Sequence, residues 1–514
     1  MFALDRGEQM NARSFQTIGA DRCRQKPGLE RKVCFEKRIG KIPHGQPGPG
    51  DRVPQAPFPA AAQHGRDKGV RASAQRPQMR PRLIAVGWLV EPPSVAHQQL
   101  VAADDQRLGV TQSRLPRLGI GEQQRRLAGV QPIRLGSLLQ RAFVHIGGAE
   151  RVLQCLHSVF PDAPIYILVG DGRVVEQMLP GAEVRYSFAQ HLPGAARFFR
   201  AYFPLYPMAA ESLDLTGFDV VISSSYGFAK GILPPLSTCH ISYCYSPLRY
   251  LWSEYHFHRK TLFRQPWKRV FVDPLLHYLR MWDRLSADRV DHFVAISQTT
   301  AGRIAKYYRR TSSIIYPPVR VRQIPLAGSS GDYFLLVSRL MSYKRVDLAV
   351  EAFNKLDLPL KIVGTGPELV NLRRQSRSNV EFLGSVTDTT LEECYSGCRA
   401  LVYPGIEDFG IVMVEAQARG KPVVACSGGG ASEIVVDGST GVLFDQQTPD
   451  ALIQAIRRLD SVNLDSAMIR NHALEFDESR FKERMLRFVM EKWEEHRANH
   501  RVTGQKETVK IREQ

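Results

Sequence analysis

The chain has 514 residues, 43% apolar and 9% aromatic, which is enough for two or three ordinary domains and excludes a small disulfide-stapled or fibrous protein. Its formal charge is +18, but residues 1–140 hold 23 Lys+Arg against 11 Asp+Glu, so +12 of that excess sits in one segment and not in the folded part. No run of 18 apolar residues could span a bilayer, the start lacks the basic-then-apolar design of a secretory signal, and eight cysteines without a C-x-x-C pair argue against a disulfide framework or a structural zinc site.

Residues 1–140 contain no Tyr and repeat Arg, Gln, Pro, Gly and Ala without helix or strand period, which predicts a largely disordered basic segment. Aromatics are not interleaved with its cations, so no nucleic-acid partner is expected. From Arg141 short Val- and Ile-rich runs alternate with helix-period stretches, the pattern of a parallel-sheet α/β architecture. Strands are expected at Ala163–Val169, Asp219–Ser225, His240–Tyr245 and His292–Ser297. Between Phe257 and Arg289, aromatic and basic residues alternate as on a face that could lie on anionic lipid, with amphipathic packing as the plainer reading. A second set of strands follows at Phe334–Ser338, Leu360–Gly364, Val380–Gly384, Ala400–Pro404, Pro422–Cys426 and Gly441–Phe444. Between them, Val346, Ala349, Val350 and Phe353 mark one helix face, and Thr448-Pro449-Asp450 opens another helix as an N-cap with an N1 proline.

This order predicts two doubly wound Rossmann-like domains facing a cleft, over 141–322 and 323–470, then a helix crossing back over 471–500 and a disordered tail over 501–514. Ligands of such folds bind at the carboxyl ends of strands, and there the second domain carries charge. Arg339 and Lys344 follow Phe334–Ser338, two cations placed to meet an anion such as a diphosphate. After Ala400–Pro404 come Glu407 and, eight residues on, Glu415, a spacing expected to bring both carboxylates to one mouth. Phe409, Gly410, Ile411 and Val412 would form the first helical turn between them, whose free amides suit a phosphate. Sugar hydroxyls donate to carboxylates, so the combination points to a nucleotide sugar.

The stretch PGIEDFGIVMVEAQARGKPVVACSGGGASEIVVDGSTGVLF, with FLLVSRLMSYK, IVGTGPE and GGAER upstream, resembles the family-4 retaining glycosyltransferases of GT-B fold over roughly residues 141–490. YCYSPLRYLW adds a similarity to bacterial mannosyltransferases of O-antigen and exopolysaccharide assembly. The resemblance implies a metal-independent hexosyltransferase, and no Asp-x-Asp metal clamp occurs in the chain. It makes Glu407 the contact of the donor sugar, Glu415 that of the ribose, and Arg339 and Lys344 the holders of the diphosphate. Gly364, Gly366 and Val386 would line the nucleotide pocket, and Gly147, Gly148, Tyr245 and Arg249 the acceptor side of the cleft. No cofactor is implied. The donor would be GDP-mannose, the acceptor a saccharide, plausibly polyprenyl-diphosphate-linked, and the place of action the cytoplasm or the inner face of its membrane. Two departures keep a second reading, a nucleotide-sugar binder without turnover: Tyr245 stands where the subgroup has His, and the first strand, read as Arg141–Ile146, looks shortened.

Overall fold

The computed structural model describes residues 135–143, 147–262, 266–328 and 331–512. The expected disordered segment therefore lies outside the described residues, except for its last six.

Those six correct the first-strand expectation. Strand β1 runs over Leu135–Phe143, nine residues, and pairs on both sides, with β2 (Ile165–Gly170) and β4 (Val220–Ser225). The sequence LGSLLQRAF hides it because Gly136, Ser137, Gln140 and Arg141 break the Val- and Ile-rich pattern of the other strands. Main-chain bonds to two neighbours do not depend on that pattern. With β3 (Val184–Tyr186), β5 (Cys239–Cys244), β6 (His292–Ala295) and β7 (Ser312–Ile314) it forms a seven-stranded sheet in the order β3-β2-β1-β4-β5-β6-β7, every pair parallel.

The second sheet repeats the plan with β8 (Phe334–Val337), β9 (Leu360–Val363), β10 (Val380–Gly384), β11 (Ala400–Tyr403), β12 (Val423–Cys426) and β13 (Gly441–Phe444), ordered β10-β9-β8-β11-β12-β13 and again all parallel. Both faces are covered, which is why these strands read as continuous apolar runs. Helix Val346–Leu356 buries Val346, Ala349, Val350 and Phe353, and helix Pro449–Leu459, capped by Thr448 accepting from the Ala451 amide at 3.3 Å, buries Leu452, Ile456 and Leu459.

The last helix, Glu478–Arg512, returns to the first domain. Phe481, Met485, Val489 and Trp493 are buried on it, and the Phe481 ring meets Tyr243 of β5 edge-on at 5.7 Å. It outruns the expected end at 500 because no proline or helix-stopping cluster intervenes before Arg512.

One polar knot sits inside the first domain. Lys230 Nζ donates to Asp283 Oδ1 and to Ser286 Oγ, both at 2.8 Å, with the Lys and Asp side chains 1% and 0% exposed. Trp252 Nε1 and the Tyr308 hydroxyl donate to the same carboxylate at 2.7 and 2.9 Å. Both carboxylate oxygens of Asp283 thereby accept hydrogen bonds, as a buried charge requires.

Helix Pro266–Ser286 divides its residues differently from the expected lipid face. Trp282 is buried against Phe228 and Arg280 turns inward to the Leu251 carbonyl at 2.7 Å, while Val270, Phe271, Tyr278, Met281 and Leu285 are exposed. Among the described residues no helix is long and apolar enough to cross a membrane.

Candidate functional site

Strand order reverses between β8 and β11 in the second sheet, so the loops leaving those two strands open a crevice at their carboxyl ends. The loop after β8 is Ser338–Leu340. It is clamped by the turn after β9: Ser338 N donates to the Val363 carbonyl at 3.0 Å and Leu340 N to the Thr365 carbonyl at 2.9 Å. Gly364, at φ +133°, lies so close that a Cβ would stand 1.9 Å from the Ser338 carbonyl oxygen, and one on Gly366 would stand 2.3 Å from that of Leu340. These glycines thus set the course of the loop that carries Arg339.

The loop after β11 holds Glu407 in the same manner. Gly430 N donates to the Glu407 carbonyl at 2.8 Å, and a Cβ on Gly429 would lie 1.9 Å from that oxygen. The Gly428-Gly429-Gly430 run is therefore the seat of Glu407. Beside it, the turn Ser342–Lys344 presents Lys344, whose ammonium pairs with the Glu407 carboxylate and reaches the Tyr403 hydroxyl at 3.4 Å. A Cβ on Gly405 would stand 2.8 Å from the Lys344 carbonyl oxygen, so the two loops are in van der Waals contact.

Arg249 enters from the first domain. Its guanidinium lies over the Tyr343 ring at 5.3 Å, pairs with Glu254 at 3.3 Å, and has its Nε 3.8 Å from Asp408, where that buried nitrogen makes no hydrogen bond. Arg303, also of the first domain, pairs with Asp408. Burial, then the Arg249 and Arg339 charges, pull the Lys344 ammonium down to about 7, with Asp408 opposing. A group held that low is one from which positive neighbours and dehydration have removed much of the reason to be charged, and an arriving anion restores it. Arg249 and Arg339 thus both stand close enough to Lys344 to act on its charge. The two arginines, with Phe199, Tyr226 and Tyr343, line an aromatic-walled cavity of about 380 Å³, and Lys344 is not among its walls.

The second carboxylate has different partners. Glu415 lies on helix Ile411–Ala418, 16% exposed, and accepts from the Tyr395 hydroxyl at 2.9 Å and from Arg151 Nη1 of the first domain at 3.2 Å. It lines a separate interdomain cavity of about 440 Å³ with Ile411, Asp388 and Leu391, and Glu407 is not among its walls. Glu407 is turned to Lys344 instead.

Two further expectations change. The helix starts at Ile411 with Gly410 as its N-cap at φ +102°, and Phe409 is a core residue, stacked on Tyr316 at 5.7 Å and edge-on to Phe476, so its side chain is not free for a ligand. Val386 and Val412 are both half-buried against the apolar core, and neither is among the walls of that cavity.

On the first domain, Gly147 caps helix Gly148–Val159, and a Cβ on Gly148 would come within 3.0 Å of Ile411 Cδ1, so the two domains nearly touch there. The Tyr245 hydroxyl donates to the Ala149 carbonyl at 3.1 Å. Its one proton is then used, so Ser224 Oγ, 2.8 Å away, donates to it. Burial raises the phenol far above its usual range, and it ties the start of that helix to β4.

Sequence reasoning missed three cross-domain contacts. Arg151 lay within the quoted GGAER, but nothing local tells that it reaches Glu415. Asp408, beside Glu407, takes Arg249 and Arg303 from the first domain, which nothing in its spacing announces. Glu433 accepts from the amides of Gln298 at 2.8 Å and Thr299 at 3.3 Å, capping a first-domain helix (Gln298–Arg303) from the second domain.

Residues 320–474 match the family described as glycosyl transferases group 1. Among curated proteins, the chain is 31% identical over 136 residues to the O-antigen chain mannosyltransferase C of Escherichia coli, covering 25% of this chain and 37% of that protein. It is 34% identical over 135 residues to the D-rhamnosyltransferase WbpZ of Pseudomonas aeruginosa, covering 25% and 35%. The chain spans between about a third and about half the length of the curated relatives it matches. Among solved structures it superposes on Anabaena Alr3699/HepE, a chain crystallised with UDP and glucose, with a TM-score of 0.51 at 17% identity, covering 70% of this chain and all of that one. The two-sheet architecture is thus that of the GT-B fold.

Proposed function

With residues 320–474 matching the glycosyl transferases group 1 family, we propose that the chain is a retaining glycosyltransferase that moves a hexose from a nucleotide sugar to a saccharide acceptor. The observation that carries the proposal is the grouping of three cations beside the crevice between the loops after β8 and β11: Arg249 and Arg339 line the aromatic cavity, and both act on the charge of Lys344. When the bond from the sugar's anomeric carbon to the diphosphate oxygen breaks, that oxygen gains negative charge. Fixed cations already facing it stabilise the charge without having to reorganise. The acceptor oxygen bonds to the anomeric carbon from the side the diphosphate leaves, and its proton passes to the departing phosphate oxygen. Tyr245 takes no part in that transfer, because its proton is committed to Ala149.

In this reading Lys344 leaves Glu407 for the diphosphate on donor binding, and Glu407 is freed to accept from a sugar hydroxyl. Glu415, in the larger cavity, accepts from the ribose. Similarity to the mannosyl- and rhamnosyltransferases supports GDP-mannose as donor. Release of nucleoside diphosphate from GDP-, UDP-, ADP- and dTDP-sugars tests this. One donor should be turned over, and Glu415→Ala should remove most of that turnover with circular dichroism unchanged. Full release by the variant would break the assignment of Glu415. A single nucleotide that stabilises the protein without being released from its sugar would favour the binder without turnover, the reading to which the committed Tyr245 hydroxyl gives weight.

The acceptor in this proposal is carried on a lipid. The exposed Val270, Phe271, Tyr278, Met281 and Leu285 share a helix with Leu276, a wall of the aromatic cavity, so a bilayer under that face would bring a lipid-linked sugar to the cations. Phe271→Glu should then release the protein from sedimenting phosphatidylglycerol vesicles while leaving donor hydrolysis unchanged. Equal sedimentation of variant and parent would exclude this face.

A further inference from the structure

At the amino end of β5, where the last helix crosses the first sheet, three residues far apart in sequence meet. The Cys239 thiol, a carboxylate oxygen of Asp291 and a ring nitrogen of His496 lie within 4.8 Å of one another. Each comes from a different element, Cys239 from β5, Asp291 from the residue before β6, and His496 from the last helix. Sequence spacing cannot reveal such a set, which is why the absence of a C-x-x-C pair said nothing about it.

Two features of the surroundings point beyond simple packing. His496 Nε2 is buried and makes no hydrogen bond, an expensive state for an imidazole nitrogen unless something other than protein takes it. His500 stands one helical turn further on, its ring centroid 4.4 Å from that of His496, the i, i+4 placement that puts two imidazoles on one face. The nearby cation offers no competing partner, since Lys492 is engaged by Glu491 at 3.0 Å and Glu495 at 2.9 Å. Asp291 gives one oxygen to the His240 amide at 2.7 Å and keeps the other. Cys239 makes only a long contact, 3.9 Å, to the Lys492 carbonyl.

We propose that Cys239, Asp291 and His496, with His500 as the fourth donor, form a zinc-binding site that fastens the last helix to the amino ends of β5 and β6. Thiolate sulfur, imidazole nitrogen and carboxylate oxygen are the donors a tetrahedral Zn²⁺ accepts, and at 2.0 to 2.3 Å bond lengths the set closes by side-chain rotation about an ion placed between them. Binding deprotonates the thiol and releases that proton to solvent. The site is remote from the proposed donor crevice, so its role is to hold the fold and not to perform the transfer.

The test is titration of the purified full-length protein with Co²⁺, then with Zn²⁺. One equivalent of Co²⁺ should produce a thiolate-to-cobalt charge-transfer absorption band, Zn²⁺ should displace it, and saturation should raise the thermal midpoint. Cys239→Ser should abolish the band, and His496→Gln should weaken Co²⁺ binding at least tenfold with circular dichroism unchanged. The His variant keeps the test open if the buried serine does not fold. No band at one equivalent, or a band that survives in both variants and so belongs to another cysteine, would overturn the proposal.

Discussion

Lys344→Ala should lower donor turnover by about 10²–10³-fold, the usual effect of removing one preorganised group from the site of developing charge. The side chain is 12% exposed, packed between the loops after β8 and β11, so nothing in solvent can take its place. Its loss also leaves Glu407 facing the diphosphate without a counter-charge, which adds repulsion to the missing attraction. Because burial and the two arginines hold Lys344 at about 7, the free protein has it partly neutral near pH 7 and the bound dianion recharges it. Binding therefore takes up a proton, and nucleoside diphosphate affinity should weaken as pH rises above about 7 in the parent protein and show no such limb in the variant. Steady-state release across pH 6–9, with thermal unfolding as a control on the fold, checks both statements. Parental turnover in Lys344→Ala would remove the cation cluster from the proposed chemistry.

Asp283→Ala should destabilise the protein by about 3–5 kcal/mol, the range for breaking a fully buried ion pair from one side. The substitution leaves Lys230 dehydrated with only Ser286 to accept from it, and strips the Trp252 indole and the Tyr308 hydroxyl of their acceptor. The double replacement Lys230→Met with Asp283→Leu should recover most of the loss, because it removes both charges and not one. Urea unfolding followed by circular dichroism reads the three proteins. A single variant within about 1 kcal/mol of the parent would mean that the pair is hydrated in solution.

What the sequence disclosed divides along physical lines. Strands covered on both faces advertise themselves as Val- and Ile-rich runs, and those of the second domain appear within a residue or two of their expected positions. β1 does not, since its place in the sheet rests on backbone pairing while Gly136, Ser137 and Gln140 carry no β signal. At the site, cations and carboxylates after strand ends were legible because the fold rule puts ligands there. Their partners were not, since an ion pair between residues 63 or 264 positions apart, as in Lys344–Glu407 and Arg151–Glu415, leaves no trace in local spacing. Phe409 illustrates the converse: the side chain of a residue inside a recognisable motif can go to packing. The glycines at 364, 366, 429 and 430 were visible as permissive positions, but only the structure tells which carbonyl each admits.

The return of the last helix fixes an order of assembly. Tyr243, in the middle of the first sheet, is covered by Phe481, which leaves the ribosome only after the whole second domain. During synthesis the first domain must therefore wait, collapsed but open along that face, for about 160 residues at roughly 5–20 residues per second. An apolar surface bare for some ten seconds or more is one that chaperones would meet before the helix does.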